Sequence, residues 1–357
     1  MGESAAERLR TLIRTGGPVS VATFMAEAGA AYYARTEEPF GEGGDFITAP
    51  EISQIFGELI GLWCAVVWQA MGAPRIVRLV ELGPGRGTLM RDALRAARTV
   101  PAFAAAVAVH LVETSPRLAA RQRQRLAACG VPLAWHDRFD AVPPGPVLVV
   151  ANEFLDALPV HQFERTSEGW RERQVGLAEG AFCFVPGPLT PVPSVPDSVR
   201  TTAPVGAIAE ASPAVLEVVE AVAARLLAHG GAALFIDYGP AVSATGDSVQ
   251  AVRRHTFHPV LEAPGEADLT AHVDFAAVRA RAKRWGVRAC GPVPQGPWLR
   301  RLGILTRAER LLAQADPAQA RSLVRGVRRL IDDAEMGHLF KVLGLAHPAL
   351  PCLPGLE

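Results

Sequence analysis

The segment Glu81-Leu82-Gly83-Pro84-Gly85-Arg86-Gly87-Thr88 joins an acid to three alternating glycines. Glycines so spaced let a backbone turn sharply and come close to a ligand with no Cβ in the way. Downstream, Leu111-Val112-Glu113-Thr114 places an acid at a strand end, where it can accept hydrogen bonds from both hydroxyls of a ribose. Asp137, in Trp135-His136-Asp137-Arg138, is placed to accept from an adenine amino group, with a loop-capping role as its plain alternative. A further segment, Asn152-Glu153-Phe154-Leu155-Asp156-Ala157-Leu158-Pro159, offers two carboxylates after an apolar strand. Carboxylates at that position suit a guanidinium, which they hold through paired hydrogen bonds. The plain alternative is that Glu153 and Asp156 cap the turn that follows.

Two nucleotide readings compete for the glycine turn. The dinucleotide fingerprint GxGxxG needs a third glycine at position 88, which is Thr88. No Gly-Lys-Ser/Thr follows, so the turn is not a Walker A loop either. GxGxG preceded by Glu81 is instead the pattern of S-adenosylmethionine-dependent methyltransferases. That cofactor carries an ammonium and a carboxylate where a dinucleotide carries phosphates, so tight phosphate cradling is unnecessary. Glu81, Gly83, Pro84, Gly85, Gly87, Glu113, Thr114 and Asp137 are the expected donor-binding residues. An ordinary tight turn between strand and helix is the alternative.

In such enzymes the end of the fourth strand faces the donor's sulfonium and orients the nucleophile. Amide N-methyltransferases use Asn/Asp-Pro-Pro-Tyr there, which this chain lacks. Asn152, Glu153 and Asp156 are therefore the candidate catalytic residues, because methyl transfer depends on positioning and local electrostatics. Asp237-Tyr238-Gly239 ends another strand at the same edge and either lines the cleft or closes the sheet. His255 and His258 are the only close histidine pair, and with no cysteine near them no metal site is expected.

The elements that must position these residues follow from periodicity. Residues 4–14 read as a helix opened by a Ser4/Glu7 capping box, and a short helix follows Ser20. Residues 50–71 read as one amphipathic helix, with Ile52, Ile55, Phe56, Leu59, Trp63, Val66 and Val67 on its core stripe. From residue 75, apolar strands at 76–82, 107–112, 131–135 and 147–151 alternate with helices at 88–97 and 116–129. Such runs indicate a parallel sheet covered on both faces. Residues 160–212 interrupt this rhythm with a hairpin over 170–185 and a proline-rich loop over 186–196. A helix at 213–229, a strand at 233–237, a loop to about 273, a helix at 275–285 and a strand at 286–290 follow. Residues 298–334 read as mostly helical and 340–345 as a last strand. The expected fold is α/β with a mostly parallel, Rossmann-like seven-stranded sheet. Residues 1–74 are expected as an N-terminal helical cap, and 75–357 as the catalytic domain with insertions at about 160–212 and 298–335.

Composition narrows the function class. The 357 residues carry 36 Lys+Arg against 36 Asp+Glu, so the bulk positive charge that nucleic-acid binding requires is missing. The longest charge-free apolar stretch, residues 59–74, contains a glutamine and falls short of a membrane span. Five scattered cysteines without CxxC spacing suit a reducing compartment. An N-terminus with Glu3 and Glu7 resembles neither a secretory signal nor a transit peptide. A cytoplasmic enzyme is expected, without nucleic-acid or membrane partners.

Larger motifs connect these readings. Gly43-Gly44-Asp45-Phe46-Ile47-Thr48-Ala49-Pro50-Glu51-Ile52-Ser53 runs on through Gln54-Ile55-Phe56-Gly57-Glu58. With Glu81–Gly87, Asn152–His161, Ile236–Gly239, Pro264–Phe275 and Met336–Lys341, it resembles the MidA-like proteins from about residue 10 to 346. That family includes the mitochondrial complex I assembly-factor methyltransferase and many bacterial relatives. The resemblance implies a class I methyltransferase fold and S-adenosyl-L-methionine as cofactor. It further implies symmetric dimethylation of arginine in a respiratory complex I subunit, and a mitochondrial-matrix location for a eukaryotic member. By the same resemblance Gly83, Gly85, Gly87 and Glu113 bind the donor, Gly44, Asp45 and Phe46 sit over its methionine end, and Asn152 and Glu153 face the acceptor. Methylation of a small molecule and a donor-binding assembly chaperone with little catalysis stay open beside a protein substrate, as does a homodimer. A dehydrogenase fits worst, because of Thr88.

Overall fold

The computed structural model describes residues 3–35, 41, 44, 45, 47–192 and 195–357. They form two compact units. One holds residues 47–154, 219–241 and 279–357, and the other holds residues 1–46, 155–218 and 242–278.

The first unit is built on seven strands: β1 (Val77–Leu82), β2 (Val107–Val112), β3 (Leu133–His136), β4 (Val147–Asn152), β5 (Gly231–Tyr238), β6 (Arg288–Pro294) and β7 (Phe340–Ala346). Their order is β6-β7-β5-β4-β1-β2-β3. The pairings β1/β2, β1/β4, β2/β3 and β4/β5 are parallel, and β7 runs antiparallel to both its neighbours. Every residue of β4 and β7 is buried, which is why both read as nearly unbroken apolar runs. The strand order reverses between β1 and β4. At such a switch point, loops leaving the carboxyl ends of neighbouring strands diverge and open a crevice for a ligand. Glu81, Glu113, Asp137 and Asn152 stand at or just beyond the carboxyl ends of β1, β2, β3 and β4.

The stripe expected as one helix over 50–71 is two helices, Ala49–Ile52 and α1 (Gln54–Ala70). Ser53 separates them with extended backbone, and its hydroxyl accepts from the Ile55 N–H. Serine's short polar side chain favours a cap over a helix interior, and that preference wins here over the apolar spacing. Val66, expected on the core stripe, is 49% exposed. α1 packs on α2 (Thr88–Ala97) closely enough that a Cβ on Gly61 would lie 2.3 Å from the Ala93 carbonyl oxygen. Glycine at Gly57 and Gly61 is what lets the two backbones meet. Glu58, beside them, is buried and bonded by Arg95 at 2.8 Å and Arg307 at 2.7 and 3.2 Å. The helix after β2, α3 (Pro116–Leu126), stops short of the expected residue 129.

The second unit contains the helices Ala5–Gly16, with its Ser4/Glu7 capping box, and Val21–Ala34, which at 14 residues is longer than expected. Its larger sheet has five strands: Val19–Ser20, His161–Thr166, Gly169–Ala178, Ala181–Leu189 and Ile208–Ala211. The expected hairpin extends through Pro186 and Pro188. This is tolerated because that strand pairs on one side only, with Gly169–Ala178. Residues expected as loop up to 273 include a three-stranded antiparallel sheet of Gln250–Arg253, Thr256–His258 and Asp268–Thr270. Strands of three or four residues are too short to show a period of two.

Candidate active site

β1 delivers the chain into the glycine turn. Gly83, Gly85 and Gly87 have φ of 62°, 51° and 76°, a left-handed region that favours glycine. The Gly87 N–H closes the turn on the Pro84 carbonyl at 2.7 Å, and the Gly83 N–H donates to the Val112 carbonyl at 3.1 Å. A Cβ on Gly83 would lie 2.7 Å from the Phe154 ring, so the turn and the segment after β4 touch at this point. Glu81 is 3% exposed, and its Oε2 has no hydrogen-bond partner among the described residues. Burial, and then the charge of Glu113, raise its carboxyl to about 8. A buried acid in that state is matched to a cationic group that arrives with a ligand.

Glu113 follows β2 and is held from several sides. Its Oε1 accepts from the Ser115 N–H at 2.8 Å and its Oε2 from Gln122 Nε2 at 3.0 Å. Burial raises its carboxyl, while these donors and the Thr114 N–H pull it down. Thr114 itself is exposed. Asp137 is exposed just past β3, next to His136, whose carbonyl takes the Glu113 N–H at 2.8 Å. Thr88, which replaces the dinucleotide glycine, donates its hydroxyl proton to Glu51 and accepts from Arg125. Arg86 lies 3.4 Å from the same glutamate.

At the end of β4, Glu153 has φ 48°, a left-handed backbone that a non-glycine residue adopts only when its surroundings impose it. Here they do. The Glu153 N–H donates to the Ile236 carbonyl at 2.9 Å, and the next N–H, of Phe154, to Asp237 Oδ2 at 3.2 Å. The Glu153 Oε1 accepts from the Ala49 N–H at 2.9 Å and from Asn152 Nδ2 at 3.0 Å. Asn152 keeps a buried Oδ1 with no partner among the described residues. Asp237, 1% exposed, is therefore a support of the β4 turn.

Ten of the expected residues thus gather on the sheet unit: Glu81, Gly83, Pro84, Gly85, Gly87, Glu113, Thr114, Asp137, Asn152 and Glu153. Asp156, Gly44 and Asp45 belong to the other unit. There the Asp156 carbonyl accepts from the Ala271 N–H, and the Gly44 N–H donates to the Gly41 carbonyl, both at 2.9 Å. The Asp45 carboxylate accepts from the Tyr32 hydroxyl and the Arg254 N–H, both at 2.8 Å. Phe46 lies outside the described residues. Gln122, Glu51 and the Ala49 N–H touch Glu113, Thr88 and Glu153 respectively, and spacing arguments miss them. Gln122 alone carried a readable signal: it sits between Leu118 and Leu126 at four-residue spacing, a polar residue on the buried stripe of an arginine-rich helix. Among the described residues no cluster of His, Cys, Asp or Glu is fit to hold a metal.

The sequence profile of a family of S-adenosyl-L-methionine-dependent methyltransferases matches residues 59–293. A Drosophila melanogaster relative, named as a mitochondrial homologue of the protein arginine methyltransferase NDUFAF7, is 39% identical over 96% of this chain and 84% of its own. The Danio rerio protein arginine methyltransferase NDUFAF7 is 36% identical over 98% and 88%. The chain belongs to this methyltransferase family. Among solved structures, a Burkholderia thailandensis protein bound to S-adenosyl-homocysteine superposes with a TM-score of 0.84 at 29% identity. That likeness covers 98% of the methyltransferase described here and 94% of the other. The fold is accordingly the class I methyltransferase fold, and the cofactor is S-adenosyl-L-methionine. The site fits it on its own terms: three glycines clear the backbone, and a buried carboxyl with one oxygen unpartnered among the described residues suits the methionine ammonium. No helix among the described residues is long and apolar enough to cross a membrane.

Proposed function

We propose that this methyltransferase transfers methyl groups to an arginine side chain of a protein. In this reading Glu81 holds the donor's ammonium, Gly83, Pro84, Gly85 and Gly87 carry the methionine end, and Glu113 and Thr114 hold the ribose. Asp137 receives the adenine amino group, with Gly44, Asp45 and Phe46 assigned to the donor as well. The bound donor supplies an electrophilic methyl group on a sulfonium.

The observation that carries the reading is Glu153. Its carboxylate is fixed by two N–H donors on one oxygen and rests on a backbone held in a left-handed conformation. A carboxylate pinned this way accepts N–H bonds from a guanidinium. Those bonds draw positive charge toward the nitrogens they involve and leave lone-pair density on the nitrogen that attacks. That nitrogen gives up its N–H proton to solvent as the S–CH3 bond breaks, leaving the donor's sulfur as a thioether. Asn152 orients Glu153 and keeps a carbonyl oxygen for an acceptor N–H, and Asp156 is assigned to the acceptor with it. The names of the arginine-methylating relatives support the same acceptor, and the resemblance to the MidA-like proteins points to a respiratory complex I subunit.

The test is transfer of labelled methyl from S-adenosyl-L-methionine to a lysate of cells lacking the protein, followed by mass spectrometry. Label is expected on protein arginine. With Glu153→Gln it should fall at least a hundredfold, while S-adenosyl-homocysteine affinity changes less than threefold. Label confined to small metabolites would overturn the acceptor assignment.

A further inference from the structure

We infer that Gln122 is a positioning residue for donor binding, acting through Glu113 and the Gly85 carbonyl. The inference rests on the assignment of Glu113 to the donor's ribose. Gln122 lies on α3, is 0% exposed, and spends every polar atom of its side chain. Nε2 donates to the Gly85 carbonyl at 2.8 Å and to Glu113 Oε2 at 3.0 Å, and Oε1 accepts from Trp135 Nε1 at 2.9 Å.

The orientation of this amide is forced. An indole N–H can only donate, so the oxygen of Gln122 must face Trp135, and the NH₂ group must face the two acceptors. Arg123 stacks its guanidinium 4.6 Å from the Trp135 ring centre and steadies the donor from outside. One buried amide therefore ties together three neighbouring parts of the donor site: the strand end at Trp135, the acid after β2, and the glycine turn after β1. Its hydrogen bond, with those of the Ser115 and Thr114 N–H groups, holds the Glu113 carboxylate in one orientation. A carboxylate fixed in direction is what two adjacent ribose hydroxyls require. A leucine or methionine would fill the same space on the stripe and supply none of this.

The test is a double-mutant cycle on the full chain, read as S-adenosyl-homocysteine affinity by calorimetry with titrations into the millimolar range. Gln122→Met keeps the volume and removes the hydrogen bonds. It is expected to weaken binding about tenfold in the wild-type background, since a hydrogen bond to a charged group is lost. In a Glu113→Ala background the same change should weaken binding less than twofold. Trp135→Phe, which removes the N–H that orients the amide while leaving Gln122 in place, should weaken binding about threefold and serves where Gln122→Met fails to fold. Unchanged affinity in both Gln122→Met and Trp135→Phe would overturn the inference. So would an equal loss with and without Glu113, which marks Gln122 as mere packing. If Glu113→Ala itself leaves affinity unchanged, the ribose assignment is what has failed.

Discussion

Glu81 makes a sharp quantitative prediction, because its burial links cofactor affinity, stability and pH. Burial and the Glu113 charge place its carboxyl at about 8 in the free protein. At pH 7 about nine in ten molecules then carry a neutral Glu81. An ammonium seated against it favours the carboxylate, so binding must expel the proton. Isothermal calorimetry of S-adenosyl-homocysteine in buffers of different ionisation enthalpy should report release of roughly 0.9 proton at pH 7. Affinity should climb between pH 6 and 8 by up to about tenfold per pH unit. In Glu81→Gln the release vanishes and binding weakens at every pH. The stability sign follows from the same group. The unfolded chain loses this proton near the ordinary carboxylate value, whereas the folded chain keeps it up to about 8. Within that window the folded state binds more protons, so the stability of the free protein falls as pH rises. At pH 7 the penalty is on the order of 3 kcal/mol. The free Glu81→Gln protein should therefore melt a few degrees higher than the wild type at pH 7, while binding the cofactor poorly. A proton release near zero, with affinity flat from pH 6 to 8, would refute the placing of the ammonium at Glu81.

Gly83→Ala adds a Cβ 2.7 Å from the Phe154 ring at a φ of 62°, so S-adenosyl-homocysteine affinity should fall more than tenfold, as calorimetry can show. Glu58→Ala leaves Arg95 and Arg307, both open to solvent, without their buried acceptor and should cost about 1 kcal/mol in urea unfolding. Burial works to raise the Glu58 carboxyl, yet hydrogen bonds from Arg307 and Arg95 hold it below the ordinary value. Its contribution is thus present above the ordinary carboxylate value and lost as pH falls through the lowered one. Acid titrations of the wild type and Glu58→Ala should therefore converge as pH falls through that lowered value.

What the chain discloses in advance depends on how its information is stored. β4 and β7 are buried on both faces, so an uninterrupted apolar run announces them. The three-stranded sheet around Gln250–Arg253 has strands too short for a period, and its partners lie up to 20 residues away along the chain. The glycine turn is legible because positive φ recruits glycine, and glycine is visible in a sequence. The turn at Glu153 uses the same backbone region without glycine, and its side chain accepts there from Ala49 and Asn152. Its conformation is held by Ile236 and Asp237, which no local pattern connects to it. A glutamine among arginines says nothing until it is placed on the stripe of Leu118 and Leu126.

The segment from Ala49 to Glu58 changes meaning most. As a pattern it is an amphipathic helix whose apolar stripe packs, and Ile55, Phe56 and Leu59 do pack. Its polar atoms do something different. The Ala49 N–H meets the Glu153 carboxylate at one end of a four-residue helix, while the Glu51 carboxylate, within that helix, takes the Thr88 hydroxyl. The helix can therefore satisfy both contacts only when the glycine turn and the β4 turn stand at a set separation. A glycine at position 88, as a dinucleotide site demands, would remove the hydroxyl and cut this tie. Thr88 is thus a link, through Glu51, between the glycine turn and the β4 turn, as well as a mark against a dehydrogenase. Break the helix at Ser53 and Ala49–Ile52 is free to serve as that spacer; continue it, and Glu51 would be carried along the stripe of α1. The serine cap that spoils the long helix is what leaves the short one available for the site.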